Sequence, residues 1–345
     1  MEQQPFSKLP SIPSPEELID VAFRRASKVT IKMPTRKDRL LIAKLKEIKR
    51  VKTVASIIIS KLSEIKTGIP KVDSLHPFYR DIFYIFIDPS TFKLSMAKVS
   101  KATVLVEKLC RSYVSKIRGA KTIPEVVVAR REYYGRVASI IKELKDELSL
   151  LSGISMFKRL PTFHFSVPII IISGAPNVGK SSFVRCVSTA KPEIAEYPFT
   201  TKSVSVGHII GEHGVIAQVV DTPGLLDRPL GERNKIELQA IVALKNLEGG
   251  IVFLIDPTET CGYSLDYQIN VFRSVKEMFR EKPMVVALTK ADIASEEQIR
   301  GAIERLGGEK VLVCSTLKCI GVQEVVKEIL DMVMKSVGRD RWQYA

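Results

Sequence analysis

Residues 174–181 read Gly174, Ala175, Pro176, Asn177, Val178, Gly179, Lys180, Ser181, which is the form G-x-x-x-x-G-K-[ST]. Between a strand and a helix, such a loop aims successive backbone N–H groups at phosphate oxygens, and the helix dipole adds positive potential. Lys180 would reach the outer phosphates and Ser181 would ligate Mg²⁺. The apolar run 167–173 precedes the loop, and Ser182 opens a helix-like stretch after it. A plain glycine turn between core elements would not require a lysine and a serine there.

Two further groups follow at distances that suit the same chemistry. Asp221-Thr222-Pro223-Gly224 stands 40 residues after Ser181 and closes the apolar run 215–220. A carboxylate there would hold the Mg²⁺ shell, and the Gly224 N–H would meet a γ-phosphate. Between them lies Tyr197-Pro198-Phe199-Thr200-Thr201, whose Thr201 is the expected third metal ligand. Thr289-Lys290-Ala291-Asp292 ends another apolar run. Asp292 can accept from N1 and N2 of guanine, a donor pair that adenine lacks, so a buried acceptor would stay unpaired against ATP. Lys290 should lie along the ring, and Ser315, Thr316 and Leu317 should bring the Thr316 N–H near guanine O6. A base motif of this kind usually begins with Asn, and Thr289 in its place predicts a weaker tether to the phosphate loop.

The catalytic set expected from these motifs is Lys180, Thr201, Gly224 and Asn177. Leu225 follows Gly224 where Ras-type GTPases carry a water-orienting glutamine. Leucine cannot hydrogen-bond water, so turnover should be slow without a partner or a monovalent cation. Asn177 has two readings: its side-chain oxygen holds K⁺ against the phosphates, or the residue only shapes the turn.

The elements that must position these residues fall into two kinds. Ser14-Pro15-Glu16-Glu17 combines an N-cap, a proline at the first helical position and a capping-box glutamate. After the start signal Thr35-Arg36-Lys37-Asp38, the residues Leu41, Leu45, Ile48, Val51, Ala55, Ile58, Leu62 and Ile65 share one helical face, which predicts a long helix ending near Gly68. Helices over 90–118 and 123–151 complete an all-α bundle over residues 1–160. From 161 to 337 short apolar runs (167–173, 203–210, 215–221, 251–256, 284–289 and 311–315) alternate with helix-length stretches. This predicts an α/β P-loop GTPase domain with a mostly parallel, doubly wound sheet. Residues 338–345 form a short tail containing Trp342, the single tryptophan.

Charge divides the 345 residues at the same place. Residues 1–160 carry 32 Lys+Arg against 16 Asp+Glu, and the remainder carries 21 against 22. A basic helical half beside a neutral nucleotide-binding half suggests a polyanionic partner, RNA before DNA or an acidic membrane surface. The five cysteines show no C-x-x-C pair and the four histidines no zinc-type spacing, so neither a metal site nor a disulfide framework is expected. No signal-like start and no membrane-length apolar run is present, which predicts a cytoplasmic chain in a reducing compartment.

The residues also resemble a known family, the nucleolar GTP-binding proteins or Nog family within the Obg-related GTPases. The Asp221–Gly224 motif runs on through Leu225-Leu226-Asp227-Arg228-Pro229-Leu230 to Glu232-Arg233-Asn234 and then to residues 236–241, from Ile236 to Ile241. Thr201-Lys202-Ser203 continues to Val206-Gly207-His208, similar to the family's first switch. Leu75-His76-Pro77-Phe78-Tyr79-Arg80-Asp81-Ile82 resembles its helical-domain signature. The likeness spans roughly residues 15–335. It implies GTP/GDP and Mg²⁺ as ligands, with K⁺ where Asn177 holds a cation. The implied partners are precursor large ribosomal subunits, ribosomal RNA, ribosomal proteins and other assembly factors, with no membrane. Against the eukaryotic members and their long C-terminal extension, the resemblance implies a short form, similar to an archaeal relative. The expected function is a nucleotide switch in large-subunit assembly; the alternative is an RNA-binding placeholder stabilised by nucleotide, with negligible hydrolysis.

Overall fold

The computed structural model describes residues 4–31, 38–188, 192–196, 203–212, 214–228 and 235–337. Thr200 and Thr201, with the segment around them, and the tail containing Trp342 lie outside the described residues. The chain separates into two compact units. One comprises residues 5–71 and 86–158, and the other residues 1–4, 72–85 and 159–345.

The first unit is all helical: α1 (Pro15–Ser27), α2 (Arg39–Gly68), α4 (Pro89–Gly119), α5 (Ile123–Lys142) and α6 (Lys145–Gly153), with α3 (Pro77–Phe86) belonging mostly to the other unit. Its helices start where capping chemistry dictates. The Ser14 hydroxyl accepts from the Glu17 N–H and the Glu17 carboxylate accepts from the Ser14 N–H, closing the capping box. Asp38 accepts from the Leu40 and Leu41 N–H groups to open α2. Val51, Val54, Ala55, Ile58, Leu62 and Ile65 form the buried stripe of α2. Leu41 and Leu45, expected on that stripe, are exposed. The first turns of α2 instead bury Glu47, whose carboxylate meets Arg50 at 2.7 Å and Arg130 of α5 at 2.8 Å.

The helix expected over 123–151 is two helices. The chain turns at Glu143–Leu144, where the Leu144 N–H donates to the Ile141 carbonyl at 3.1 Å. The turn carries no glycine or proline; it lets Leu144, Leu148 and Leu151 all be buried. Tertiary packing, rather than local propensity, sets the break.

The second unit holds a seven-stranded sheet in the order β2-β3-β4-β1-β5-β6-β7. The strands are β1 (Ile169–Gly174), β2 (Glu193–Glu196), β3 (Ser203–Gly211), β4 (Gly214–Asp221), β5 (Gly249–Ile255), β6 (Met284–Leu288) and β7 (Val311–Val313). β4, β1, β5, β6 and β7 are parallel neighbours, and β3 pairs antiparallel with both β2 and β4. The expected mostly parallel sheet is therefore present. The short edge strand β2 was not foreseen, because its four residues give no alternation long enough to read. Between strands run α7 (Lys180–Val187), α8 (Lys235–Leu244), α9 (Leu265–Met278) and α10 (Glu296–Leu306), and α11 (Val322–Val337) closes the unit. All of β1 and β5 is buried, which is why both read as continuous apolar runs.

The expected boundary at residue 160 falls close to the break at 158/159, but residues 72–85 group with the α/β unit. Tyr79 shows why. Its hydroxyl donates to the Pro161 carbonyl at 2.8 Å and accepts from the Phe163 N–H at 3.2 Å. Phe78 meets Phe163 edge-on at 4.9 Å, His76 stacks on Phe165 at 3.5 Å, and Asp81 accepts from Asn246 at 2.8 Å. The 75–82 motif thus belongs physically to the α/β unit although it lies inside the helical half of the sequence.

Candidate nucleotide-binding site

The parallel strands end together, so the loops after β1, β4, β5, β6 and β7 converge on one edge of the sheet. After β1, the chain turns through Gly174 at φ 138° and Gly179 at φ 105°. A Cβ on Gly174 would lie 2.4 Å from the Leu254 carbonyl oxygen, and one on Gly179 would lie 2.6 Å from Thr316 Oγ1. Both positions therefore require glycine for space as well as for conformation. Gly179 caps α7 with no side-chain hydrogen bond, the arrangement of a helix start that receives an anion.

Lys180 is only 8 % exposed and curls back over its own loop. Its Nζ donates to the Gly174 and Ala175 carbonyls at 2.9 and 2.8 Å. Asn177 shapes the turn at φ 61°, and its Nδ2 donates to the Cys261 carbonyl at 3.4 Å. That leaves Oδ1 as the atom through which Asn177 would reach a cation. Pro176 and Val178 complete the loop, with Val178 fully buried, and Ser182 accepts from Arg185 at 3.3 Å on the first turn of α7.

The end of β4 brings Asp221 to Ser181, whose hydroxyl donates to Asp221 Oδ2 at 2.6 Å. Asp221 Oδ1 is buried and has no hydrogen-bond partner among the described residues. Burial is the main cause pushing the Asp221 carboxyl above its ordinary range; the Ser181 hydrogen bond and Lys180 pull it down, and Asp227 adds to the rise. A hydroxyl beside a carboxylate with an unpartnered oxygen is a donor set that suits a hard divalent cation, so these residues fit Mg²⁺.

The loop after Asp221 is tied down. Thr222 is buried with its Oγ1 3.4 Å from the Ile172 carbonyl. The Gly224 N–H donates to Asp227 Oδ2 at 2.8 Å. Leu225, 1 % exposed, packs inward and offers no polar atom to solvent.

Thr289 keeps a tether between the base motif and the phosphate loop. It is fully buried and donates to the Val178 carbonyl at 2.8 Å, with the Ile255 carbonyl 3.2 Å away. One hydroxyl proton still joins the base motif to the phosphate loop, where an amide would have brought two. Lys290, at φ 56°, ion-pairs with buried Asp256 at 2.7 Å and donates to Thr260 at 2.9 Å. Asp292 accepts from Ser315 at 2.5 Å, and that hydrogen bond is the leading cause holding its carboxyl below the usual range. Thr316 is buried and Leu317 is 81 % exposed. The printed contacts link the phosphate loop to Asp221 through Ser181, to Thr289 through Val178 and to Thr316 at Gly179, and Asp292 to Ser315, whereas Thr201 lies outside the described residues.

Sequence reasoning missed two acidic partners and one disulfide. Asp256 and Asp227 look like ordinary loop acids until their contacts are seen. Cys186 and Cys319 form a disulfide between the C-terminal turn of α7 and the loop after Thr316, with Cα atoms 5.5 Å apart. This overturns the expectation of no disulfide. A single pair 133 residues apart has no sequence motif, which is why cysteine spacing could not find it. Cys110, Cys261 and Cys314 remain thiols.

Comparison with known proteins gives the family. Residues 6–163 match the NOG1 N-terminal helical domain and residues 235–292 match Nucleolar GTP-binding protein 1 (NOG1). An uncharacterized protein of Methanocaldococcus jannaschii is 42 % identical over 301 residues, covering 87 % of this chain and 84 % of its own length. The chain belongs to the NOG1 family. NOG1-family relatives from Drosophila melanogaster and Saccharomyces cerevisiae, each a Nucleolar GTP-binding protein 1, are 33 % and 30 % identical over 337 and 342 residues. They cover 95 % and 97 % of this chain, which spans only 52 % and 53 % of theirs. A crystal structure of a Plasmodium falciparum protein described as nucleolar GTP-binding protein 1 covers 52 % of this NOG1-family chain and 93 % of its own, at 34 % identity and a TM-score of 0.45. No helix among the described residues is long and apolar enough to cross a membrane.

The buried, half-satisfied Asp221 yields a diagnostic for the NOG1-family site. Asp221→Asn removes a buried charge while keeping an acceptor for Ser181. The nucleotide-free variant is expected to melt a few degrees higher than the parent chain, about 1 kcal/mol. Its Mg²⁺-dependent nucleotide affinity should fall at least about tenfold. Paired melting curves and titrations check both signs.

Proposed function

We propose that this chain is a Mg²⁺-dependent GTP-binding protein that hydrolyses GTP slowly and acts as a nucleotide switch in large ribosomal subunit assembly. The observation that carries the nucleotide reading is the joining of two grips. The Lys180 loop is tied through Thr289 to the motif that presents the Ser315-supported Asp292 carboxylate. Lys180 and the first-turn N–H groups of α7 would take the phosphates, Ser181 and Asp221 the metal, and Asp292 the guanine edge. Mg²⁺, when bound, supplies charge neutralisation across the outer phosphates. Thr201 is the further metal ligand in this reading, and Asn177 Oδ1 a contact for K⁺. The basic charge of the first 160 residues supports a polyanionic partner, which in this reading is ribosomal RNA met together with ribosomal proteins or other assembly factors in a cytoplasmic setting.

Leu225 supports a second reading. Its burial and apolar side chain leave water unoriented at that position, as expected of a placeholder that binds nucleotide and RNA with negligible turnover. One experiment separates the two: GTP hydrolysis in KCl and in NaCl, with and without purified large ribosomal subunits. The switch reading expects subunit-stimulated turnover, faster in KCl if Asn177 holds the cation. Flat rates in every arm, with subunit binding indifferent to nucleotide, would leave the placeholder standing.

A further inference from the structure

The Gly224 N–H is the donor that a terminal phosphate needs, yet here a carboxylate takes it. Asp227 is 5 % exposed, and its Oδ2 accepts from the Gly224 N–H at 2.8 Å. The loop that carries both residues is fastened on each side. Leu226, between them in sequence, is buried, and its carbonyl accepts from Ser173 Oγ at 2.9 Å and from the Gly174 N–H at 3.5 Å. Arg228 holds both carboxylate oxygens of Glu237 on α8 at 3.0 and 3.1 Å. The Asp227 carboxylate is therefore anchored by its neighbours in the position of an anionic ligand of Gly224.

We propose that Asp227 sets the preference between guanosine di- and triphosphate by occupying the Gly224 N–H that the γ-phosphate requires. A diphosphate leaves the Asp227–Gly224 bond intact. A triphosphate must break it and bring a second anion toward a buried carboxylate, which costs both a charge-assisted hydrogen bond and like-charge repulsion. Asp221, whose carboxyl is pushed up in part by the Asp227 charge, ends β4 three residues before Gly224. Only a ligand with differential affinity for the two arrangements can shift them, and the γ-phosphate is where the two nucleotides differ.

The inference rests on the GTP-binding reading above, and its test separates the two. The full chain, with Mg²⁺, is titrated with fluorescent GDP and with a fluorescent non-hydrolysable GTP analogue, as parent, Asp227→Ala and Asp227→Asn. Asp227→Ala should tighten the GTP analogue about tenfold to a hundredfold and leave GDP within about twofold. Asp227→Asn, which keeps an acceptor and loses the charge, should fall between; being isosteric, it carries the test if the alanine variant does not fold. An unchanged ratio of affinities in a folded variant overturns the inference alone, as does a parallel loss for both nucleotides. A parent chain that binds neither nucleotide overturns the inference and the reading together.

Discussion

Lys180→Ala is expected to lower GTP affinity at least about a thousandfold, the largest single loss available at this site. The argument is geometric. Lys180 is held across the loop by the Gly174 and Ala175 carbonyls, so its ammonium is positioned before any phosphate arrives. Alanine removes the charge and leaves two loop carbonyls without their donor, which also costs the nucleotide-free protein about 1–3 kcal/mol. Equilibrium titration with fluorescent GDP and GTP, alongside a melting curve, reads both effects. Retained micromolar affinity would show that this loop does not grip phosphate.

Asp292→Asn should have the second largest effect, and its signature is a change of base rather than a general loss. Ser315 holds one Asp292 oxygen at 2.5 Å, which orients the carboxylate and stabilises its charge. Guanine offers N1–H and N2–H to such a group; an asparagine meets the second donor with another donor. GTP affinity is expected to fall about a thousandfold or more. Xanthine carries an oxygen where guanine carries the amine, so XTP should gain on the same variant. Competition titrations with GTP, XTP and ATP decide the point: equal losses for all three would place Asp292 outside base recognition.

The parts of the site that were legible in the sequence are those encoded by adjacent residues. Gly174 to Ser181 must be contiguous to wrap phosphate, and Asp221 ends a strand, with Asp292 four residues after another, whose apolar runs are visible. The bundle helices were legible from Ser14 and Asp38, whose capping is local. What escaped depends on neighbours brought from far along the chain. Tyr79 finds Pro161 and Phe163 across more than 80 residues, which moves a helix of one half into the other unit. The partner of Thr289, the Val178 carbonyl 111 residues away, is likewise absent from any local reading. The exposure of Leu41 and Leu45 and the α5–α6 break share this cause: periodicity says which residues share a face, not whether another element covers it.

The Cys186–Cys319 bond turns the greater part of the α/β unit into a macrocycle. The chain enters the ring at the end of the phosphate-loop helix and leaves it just beyond the base loop, and β2 through β7 all lie within it. The two grips on a nucleotide are thereby stapled at their backs, one to the phosphate side and one to the base side. A release factor that pried the base loop away would have to work against a covalent bond. One that loosened the loop around Gly224 would not, because both ends of that loop lie within the ring and neither carries the bond.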